Sequence, residues 1–252
     1  MFSHAIVRTP GPDAANGLST ADLGRADLPL LQRQHAAYVA TLKELGLAIT
    51  QLDPLPGHPD AYFVEDAALM FPELAVITRP GAPERLADAE ALLPTVAVFR
   101  PIHRLKAPAT LDGGDVLLVG KTVFVGLSAR TNAEGAAQLA ALLAPHGYTV
   151  FPIPVPEGLH FKSSITWAGD DVLVLTKSLA SRPELVGYRH ILVPDEEAYA
   201  ANILWINGTL LMPMGFLRTQ ALLETLGMPL RVLDQSEIQK MDGALTCMSR
   251  RF

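Results

Sequence analysis

Cys247 is the only cysteine among 252 residues, and it lies just past the turn-like run Met241-Asp242-Gly243-Ala244. One cysteine can neither close an internal disulfide nor build a thiolate zinc site. Its sulfur is therefore either core filler, the commoner fate of a lone cysteine, or a nucleophile. Elsewhere the chain carries acids and a histidine within apolar runs: Glu65 and Asp66 in FVED, Asp112 and Asp115 in LDGGD, and His160 in GLHFKS. A thiol near an imidazole is an arrangement for covalent catalysis, in which the thiolate attacks and the imidazole protonates the leaving group and then activates water. Acyl transfer would also need donors for a developing oxyanion. Carboxylates repel an oxyanion but hold a planar, delocalised cation through paired hydrogen bonds. The electrophile that suits this set is the carbon of a guanidinium or amidinium. A bound cation would also favour the thiolate, which an acidic pocket alone disfavours.

Each residue has a structural reading as well. His160, between Leu159 and Phe161, could be a satisfied core histidine, and Asp112 could cap the Gly113-Gly114 turn. Glu65 and Asp66 could form a solvated turn, and Arg85 and Arg130 could be surface charges. The six other histidines, at positions 4, 35, 58, 103, 146 and 190, show no metal-ligand spacing and read as structural or surface groups.

The elements that must position this set recur along the chain. From 111 to 155, LDGGDVLLVG and KTVFVGLS read as a hairpin about Gly120-Lys121. A helix follows, with Thr131 or Asn132 as cap and Gly147 as terminator, and the strand TVFPIPV closes the unit. Related segments start near Phe63, Leu111, Leu159, Ala201 and Met241, at spacings of 48, 48, 42 and 40 residues, a period typical of propellers and solenoids. The last segment is too short for a full ββαβ module. The N-terminus offers the missing parts: the strand FSHAIVRTP, a helix across roughly 29 to 45 ending at Gly46, and the strand LAITQLDP. The expectation is an α/β fold in which five modules close into a ring and the two chain ends share one blade. An open doubly wound sheet is the alternative, but no glycine-rich phosphate loop stands at a strand end. In a ring, the module starts face one central cavity, which brings Glu65, Asp66, Asp112, Asp115, His160, Asn202, Asp242 and Cys247 together.

Composition limits the partners. Hydrophobic residues make up 49% and charged residues 18%, which describes a chain able to build a sizeable core. The net charge of -6 and the absence of a Lys/Arg run exclude a nucleic-acid partner and favour a small cationic substrate. No apolar stretch reaches the roughly 20 residues of a membrane span, and the start lacks a signal-peptide pattern. With an unpaired cysteine, the expectation is a cytoplasmic protein. Nothing in the pattern calls for a metal or an organic cofactor.

The residues FVED at 63 to 66, TRPG at 78 to 81, LDGGD at 111 to 115, ARTNAEGA at 129 to 136, GLHFKS at 158 to 163, AANILWIN at 200 to 207 and DGALTCMS at 242 to 249 resemble the dimethylarginine dimethylaminohydrolase family of the guanidine-modifying, or pentein, superfamily. The likeness runs nearly end to end in the same order. It implies a single catalytic domain over residues 1–252 with the fold of a five-bladed α/β propeller. It also implies that Cys247 attacks the guanidinium carbon, that His160 protonates the leaving amine and then activates water, and that Asp112 orients His160 and shares the guanidinium with Asp66. Glu65 would support that carboxylate. Arg85 and Arg130 would hold the substrate α-carboxylate, Asp60 would serve the α-amino end, and the backbones of Leu18 and Met241 would complete the enclosure. Leu18 lies in a loop from Pro10 to Gly24 that reads as a lid. Relatives are monomers or dimers, so a homodimer is an open expectation.

Three other readings share the superfamily. Arginine deiminases are longer, with an inserted helical domain and a stretch ending in His-Cys-Met-Thr, whereas here Thr246 precedes the cysteine and no insertion is evident. Amidinotransferases are again longer chains. A non-catalytic ribosome-binding pentein would have no use for Cys247, His160, Asp112 and Asp66 together.

Overall fold

The computed structural model describes residues 1–155 and 158–252. Its elements are short because each module folds a few apolar residues into strands that become buried only against the next module. In chain order they are β1 (His4–Arg8), α1 (Leu28–Glu44), β2 (Ala48–Leu52), β3 (Ala68–Met70), β4 (Ala75–Ile77), α2 (Leu86–Val96) and β5 (Ile102–Arg104). Next come β6 (Val116–Val119), β7 (Thr122–Leu127), α3 (Ala133–Leu143), β8 (Thr149–Pro154), β9 (Ile165–Trp167), β10 (Val172–Leu175) and β11 (Arg189–Leu192). The chain ends with β12 (Leu204–Ile206), β13 (Thr209–Pro213), α4 (Leu217–Glu224), β14 (Leu230–Leu233), α5 (Ser236–Gln239) and β15 (Arg250–Arg251).

The strands form five three-stranded sheets with the orders β3-β4-β5, β6-β7-β8, β9-β10-β11, β12-β13-β14 and β15-β1-β2. In every sheet the first pair is antiparallel and the second parallel. The first strands approach one another around an axis: β15 touches β3, β6 touches β9, and β9 touches β12. Five apolar clusters fill the joints between successive sheets. Leu69 and Val123 share one cluster, Leu117 and Leu173 another, Val174 and Leu210 a third, Leu211 and Val7 a fourth, and Ile6 and Ala68 the last. This is the five-bladed ring expected from the repeat. β15 pairs with β1 through Ala5 opposite Arg251 and Ile6 opposite Arg250, so the two chain ends share a blade.

Local signals account for the outer elements. Asp27 caps α1 by accepting from Leu30 N, Pro29 stands in its first turn, and Gly46 follows it in the left-handed region at φ 89. Asn132, the second of the two expected caps, starts α3 by accepting from Gly135 N at 2.8 Å. One module departs from the repeat. Between β10 and β11 the chain makes two short 3-10 turns, Lys177–Leu179 and Pro183–Leu185, instead of an α-helix. Pro183 removes a backbone donor from a segment already too short for several helical turns.

Candidate functional site

Cys247 is held by backbone bonds on both sides. Its N–H donates to Ala244 O at 3.1 Å, and its carbonyl accepts from Glu65 N at 3.1 Å, which ties the C-terminal segment to the start of another blade. Asn202 fixes the preceding residue, accepting from Thr246 N and donating to Thr246 Oγ1. The thiol is half-buried. Asp242, four residues after Ile238, takes a left-handed conformation at φ 54, which aspartate tolerates better than bulkier residues.

His160 faces two aspartates. Its Nε2 lies 2.9 Å from Asp112 Oδ2 and 4.0 Å from Asp66 Oδ1. Asp112 is fully buried, and its other oxygen accepts from Gly81 N at 2.8 Å. Its side chain therefore does not cap the Gly113-Gly114 turn. Asp66 is fixed at both oxygens, Oδ1 by Gly114 N and Oδ2 by Arg85 Nη1, each at 2.8 Å. The paired glycines of LDGGD are required by proximity. A Cβ at Gly113 would meet Glu65 O at 2.0 Å, and one at Gly114 would meet His160 Nδ1 at 2.7 Å and Asp66 Oδ1 at 2.9 Å.

Cys247, His160 and Asp66 line one narrow cavity of about 30 Å³, together with Leu18, Asp60, Phe63, Arg85, Arg130, Leu159, Met241, Asp242 and Gly243. Such a volume holds about one water molecule. The segment 10–24 closes it: Leu18 N donates to Asp60 Oδ2 at 3.0 Å, and Thr20 donates from N and Oγ1 to Asp242 Oδ2. Arg85 is buried, with Nε on Asp88 Oδ2 and Nη2 on the carbonyls of Asp60 and Phe63. Only one of its N–H groups is left without an acceptor among the described residues. The guanidinium of Arg130 has no acceptor among the described residues, and it points a whole fork of donors at the same cavity.

The carboxylates set the protonation states. Burial disfavours charge on His160, but Asp66, the Asp112 hydrogen bond and Asp115 outweigh it and raise the ring to about 9. Burial also opposes charge on Asp112, yet the bond from His160 and the Gly81 amide hold this carboxyl below its usual range. The two shifts agree on a buried imidazolium-carboxylate pair. Burial, Glu65 and Asp66 push the Cys247 thiol up to about 12. At neutral pH the resting site thus holds a thiol beside an imidazolium. The ligand atoms of Asp66, Asp112 and His160 lie within 4.8 Å of one another, as a metal site would need. Every one of those oxygens already accepts a hydrogen bond, and Nε2 of His160 is engaged with Asp112, so a metal that used Nε2 would have to displace that bond.

Nine of the expected residues share the cavity: Leu18, Asp60, Asp66, Arg85, Arg130, His160, Met241, Asp242 and Cys247. Asp112 does not reach it. With one oxygen on Gly81 and the other on His160, it orients the imidazole from behind. Glu65 is a further correction. Its backbone touches Cys247, but its side chain turns to the opposite side of the ring, where Lys162 Nζ stands at 2.6 Å, Arg251 Nη2 at 3.0 Å and Arg250 Nη1 at 3.7 Å. Three cations draw the carboxylate away from the thiol's pocket. Asp115 and Asn202 are structural: Asp115 accepts from Ser128 Oγ, Thr131 Oγ1 and Phe161 N. Asp88, three residues after Arg85, was not foreseen, and that spacing on one helical turn was its signal.

The chain matches the arginine deiminase family over residues 95–192. It is 39% identical to the N(G),N(G)-dimethylarginine dimethylaminohydrolase of Pseudomonas aeruginosa, covering all of both chains. It is 38% identical to the enzyme of the same name from Streptomyces coelicolor, over 98% of this chain and 96% of that one. Among solved structures, a cysteine-to-serine mutant of the Pseudomonas aeruginosa protein complexed with citrulline superposes with a TM-score of 0.98, at 38% identity and full coverage of both chains. The N-terminal domain of a cyanobacterial arginine dihydrolase shares the fold at a TM-score of 0.89 and 17% identity, over 98% of this chain and 97% of that one.

Proposed function

The chain belongs to the dimethylarginine dimethylaminohydrolase family, and on that premise we propose that it hydrolyses Nω-methylated arginine to citrulline and a methylamine. The observation that carries this reading is the meeting of the Cys247 thiol, the His160 imidazolium and the Asp66 carboxylate in one enclosed cavity. The substrate guanidinium lies against Asp66, and its positive charge lowers the thiol's pKa, so the thiol releases its proton when substrate binds. Sγ then attacks the guanidinium carbon. His160 gives its proton to the methylated nitrogen, the carbon-nitrogen bond breaks, and dimethylamine leaves a thiouronium on Cys247. The neutral imidazole next takes a proton from water, and hydroxide adds to the same carbon. The carbon-sulfur bond breaks, and the departing thiolate takes the proton of the added hydroxyl, which gives the ureido group of citrulline and restores the resting thiol.

At the far end of the substrate, the Arg130 fork suits an α-carboxylate, with the free Arg85 N–H beside it. Asp60, with one oxygen on Leu18, suits the α-amino group, and the Leu18 and Met241 backbones complete the enclosure. Glu65 and Asp112 act at one remove, through Cys247's backbone and His160. The catalytic unit is the whole chain, residues 1–252, because the ring needs both ends to close its last blade. No helix among the described residues is long and apolar enough to cross a membrane. We assign the protein to the cytoplasm, where a single thiol stays reduced, and a homodimer is tested by sedimentation.

The match to arginine deiminases keeps plain arginine as a second candidate substrate. Incubation with asymmetric dimethylarginine, monomethylarginine and arginine, following citrulline with dimethylamine, methylamine or ammonia, separates the two. Release of dimethylamine with citrulline is expected, and turnover of arginine alone would move the chain to the deiminase activity.

A further inference from the structure

A second, larger cavity of about 470 Å³ opens on the other side of the ring and contains neither Cys247 nor His160. Its size lies in the range of small-molecule sites. Its wall is apolar and aromatic, with Phe71, Leu118, Trp167, Trp205 and Phe252 among its lining, and the two tryptophans pack at a centroid distance of 4.9 Å. Its floor is charged and buried. Lys162, Arg250 and Arg251, with side chains 7%, 11% and 8% exposed, surround the single carboxylate of Glu65.

All three cations face one oxygen of this carboxylate, Oε1, and Oε2 is buried without a partner. Arg251 spends Nη1 on the Thr246 and Ser249 carbonyls and Nη2 on Glu65, but its Nε is buried without a partner. The Arg250 guanidinium lies 3.7 Å from Glu65 and has a buried Nε without a partner as well. Lys162 donates to Glu65 alone. Of the other charges at the wall, Arg100 lies over the Phe252 ring and donates to the Phe71 and Phe99 carbonyls, and the α-carboxyl group of Phe252 accepts from the amides of Ser3 and His4, away from Arg250 and Lys162 in its bonding. Unsatisfied buried guanidinium groups are costly, and a carboxylate in their plane satisfies them in pairs.

We propose that this cavity is a binding site for a small carboxylate with an aromatic or alkyl body, whose carboxylate meets Arg250, Arg251 and Lys162 while the body lies between the tryptophans and Leu118. The site is distinct from the cavity of Cys247 but shares Glu65 with its support, because the Glu65 amide donates to the Cys247 carbonyl. The chain's only two tryptophans both stand in this wall, so their fluorescence reads the site directly.

The test titrates the full chain with 4-phenylbutyrate and, in parallel, with its neutral amide, following tryptophan fluorescence and thermal unfolding. A saturable fluorescence change and a rise in Tm with the carboxylate are expected, with the amide binding about tenfold more weakly or worse. Arg250→Gln should weaken the carboxylate by a similar factor. Leu118→Tyr, which fills the cavity without touching a charge, should abolish the response and serves as the deciding variant if Arg250→Gln loses its fold by circular dichroism. Equal responses to carboxylate and amide, no saturable response, or a response unchanged in Leu118→Tyr would each overturn the assignment.

Discussion

Arg85 Nη1 donates to Asp66 Oδ2 at 2.8 Å, so the acid that faces the thiol is itself one half of a buried ion pair. This pair aims Asp66 rigidly and leaves its outer lone pairs for a cationic substrate. Asp66→Asn removes the charge and also breaks the pattern of acceptors, since an amide cannot accept from both Gly114 and Arg85. KM for a guanidinium substrate should rise at least about tenfold, with a smaller effect on kcat. Stability should fall by less than the roughly 3–5 kcal/mol typical of a broken buried pair, because Arg85 keeps Asp88. Steady-state kinetics and urea unfolding measure both, and an unchanged KM would remove Asp66 from the substrate site.

The bond between His160 and Asp112 predicts a pH profile. The folded pKa of His160, about 9, lies above the ordinary value of 6.5, so the protonated ring stabilises the fold. That contribution is complete below about 6.5 and is lost as pH rises through about 9. The same proton is the one given to the leaving amine, so kcat/KM should lose this contribution above about pH 9. Asp112→Asn removes a carboxylate that favours the imidazolium and should move this limb down by about one pH unit. A limb that stays in place in Asp112→Asn would mean that Asp112 does not set the ring's proton.

Much of this arrangement is legible in the sequence because it repeats. The spacing of the module starts fixes five sheets and a shared terminal blade, and it brings His160, Asp66 and Cys247 to one axis without any knowledge of side-chain direction. Direction is what the pattern does not carry. Glu65 and Asp66 are neighbours in the turn that leads into β3, and contacts distant in sequence send their side chains to opposite sides of the ring. One therefore faces the thiol and the other faces Lys162, Arg250 and Arg251. Asp112 is similarly placed by contacts distant in sequence, the Gly81 amide and the His160 ring. The helix missing between β10 and β11 had two signals, a module of 42 residues after two of 48 and Pro183 within it.

Gly114 tests how closely the blade starts must approach. A methyl group there would stand 2.7 Å from His160 Nδ1 and 2.9 Å from Asp66 Oδ1, well inside contact distance. Gly114 does not hold a positive φ, so the obstacle is space and not backbone conformation. Gly114→Ala should displace both side chains and reduce kcat/KM by about two orders of magnitude, since an ångström of misplacement has that scale. The fold should survive, with a Tm lowered by several degrees. Kinetics near the native value would show that the His160 and Asp66 positions are soft.

Leu18, in the loop from Pro10 to Gly24, lines the cavity of Cys247, and we propose that this loop opens to admit substrate. Its fastenings are Leu18 on Asp60 and Thr20 on Asp242. Asp242→Asn keeps the left-handed backbone but weakens the hold on Thr20. Proteolytic cleavage within 10–24 should become several-fold faster, and KM should rise because closure no longer retains the substrate as well. Cleavage at the native rate would place the fastening elsewhere.

The resting state of Cys247 is open to direct chemical test. With its thiol pushed up to about 12, only a minute fraction is thiolate at neutral pH, although an imidazolium stands in the same cavity. Alkylation by neutral iodoacetamide should therefore be slow at about pH 7 and accelerate roughly tenfold per pH unit with no plateau through about pH 10. Cys247→Ser should fold normally, take up no label and lose at least about a thousandfold in turnover, because a hydroxyl of much higher pKa gains too little from the bound cation. A plateau near neutral pH would show a thiolate formed before substrate arrives. The positive charge of the guanidinium would then no longer be what activates its own nucleophile.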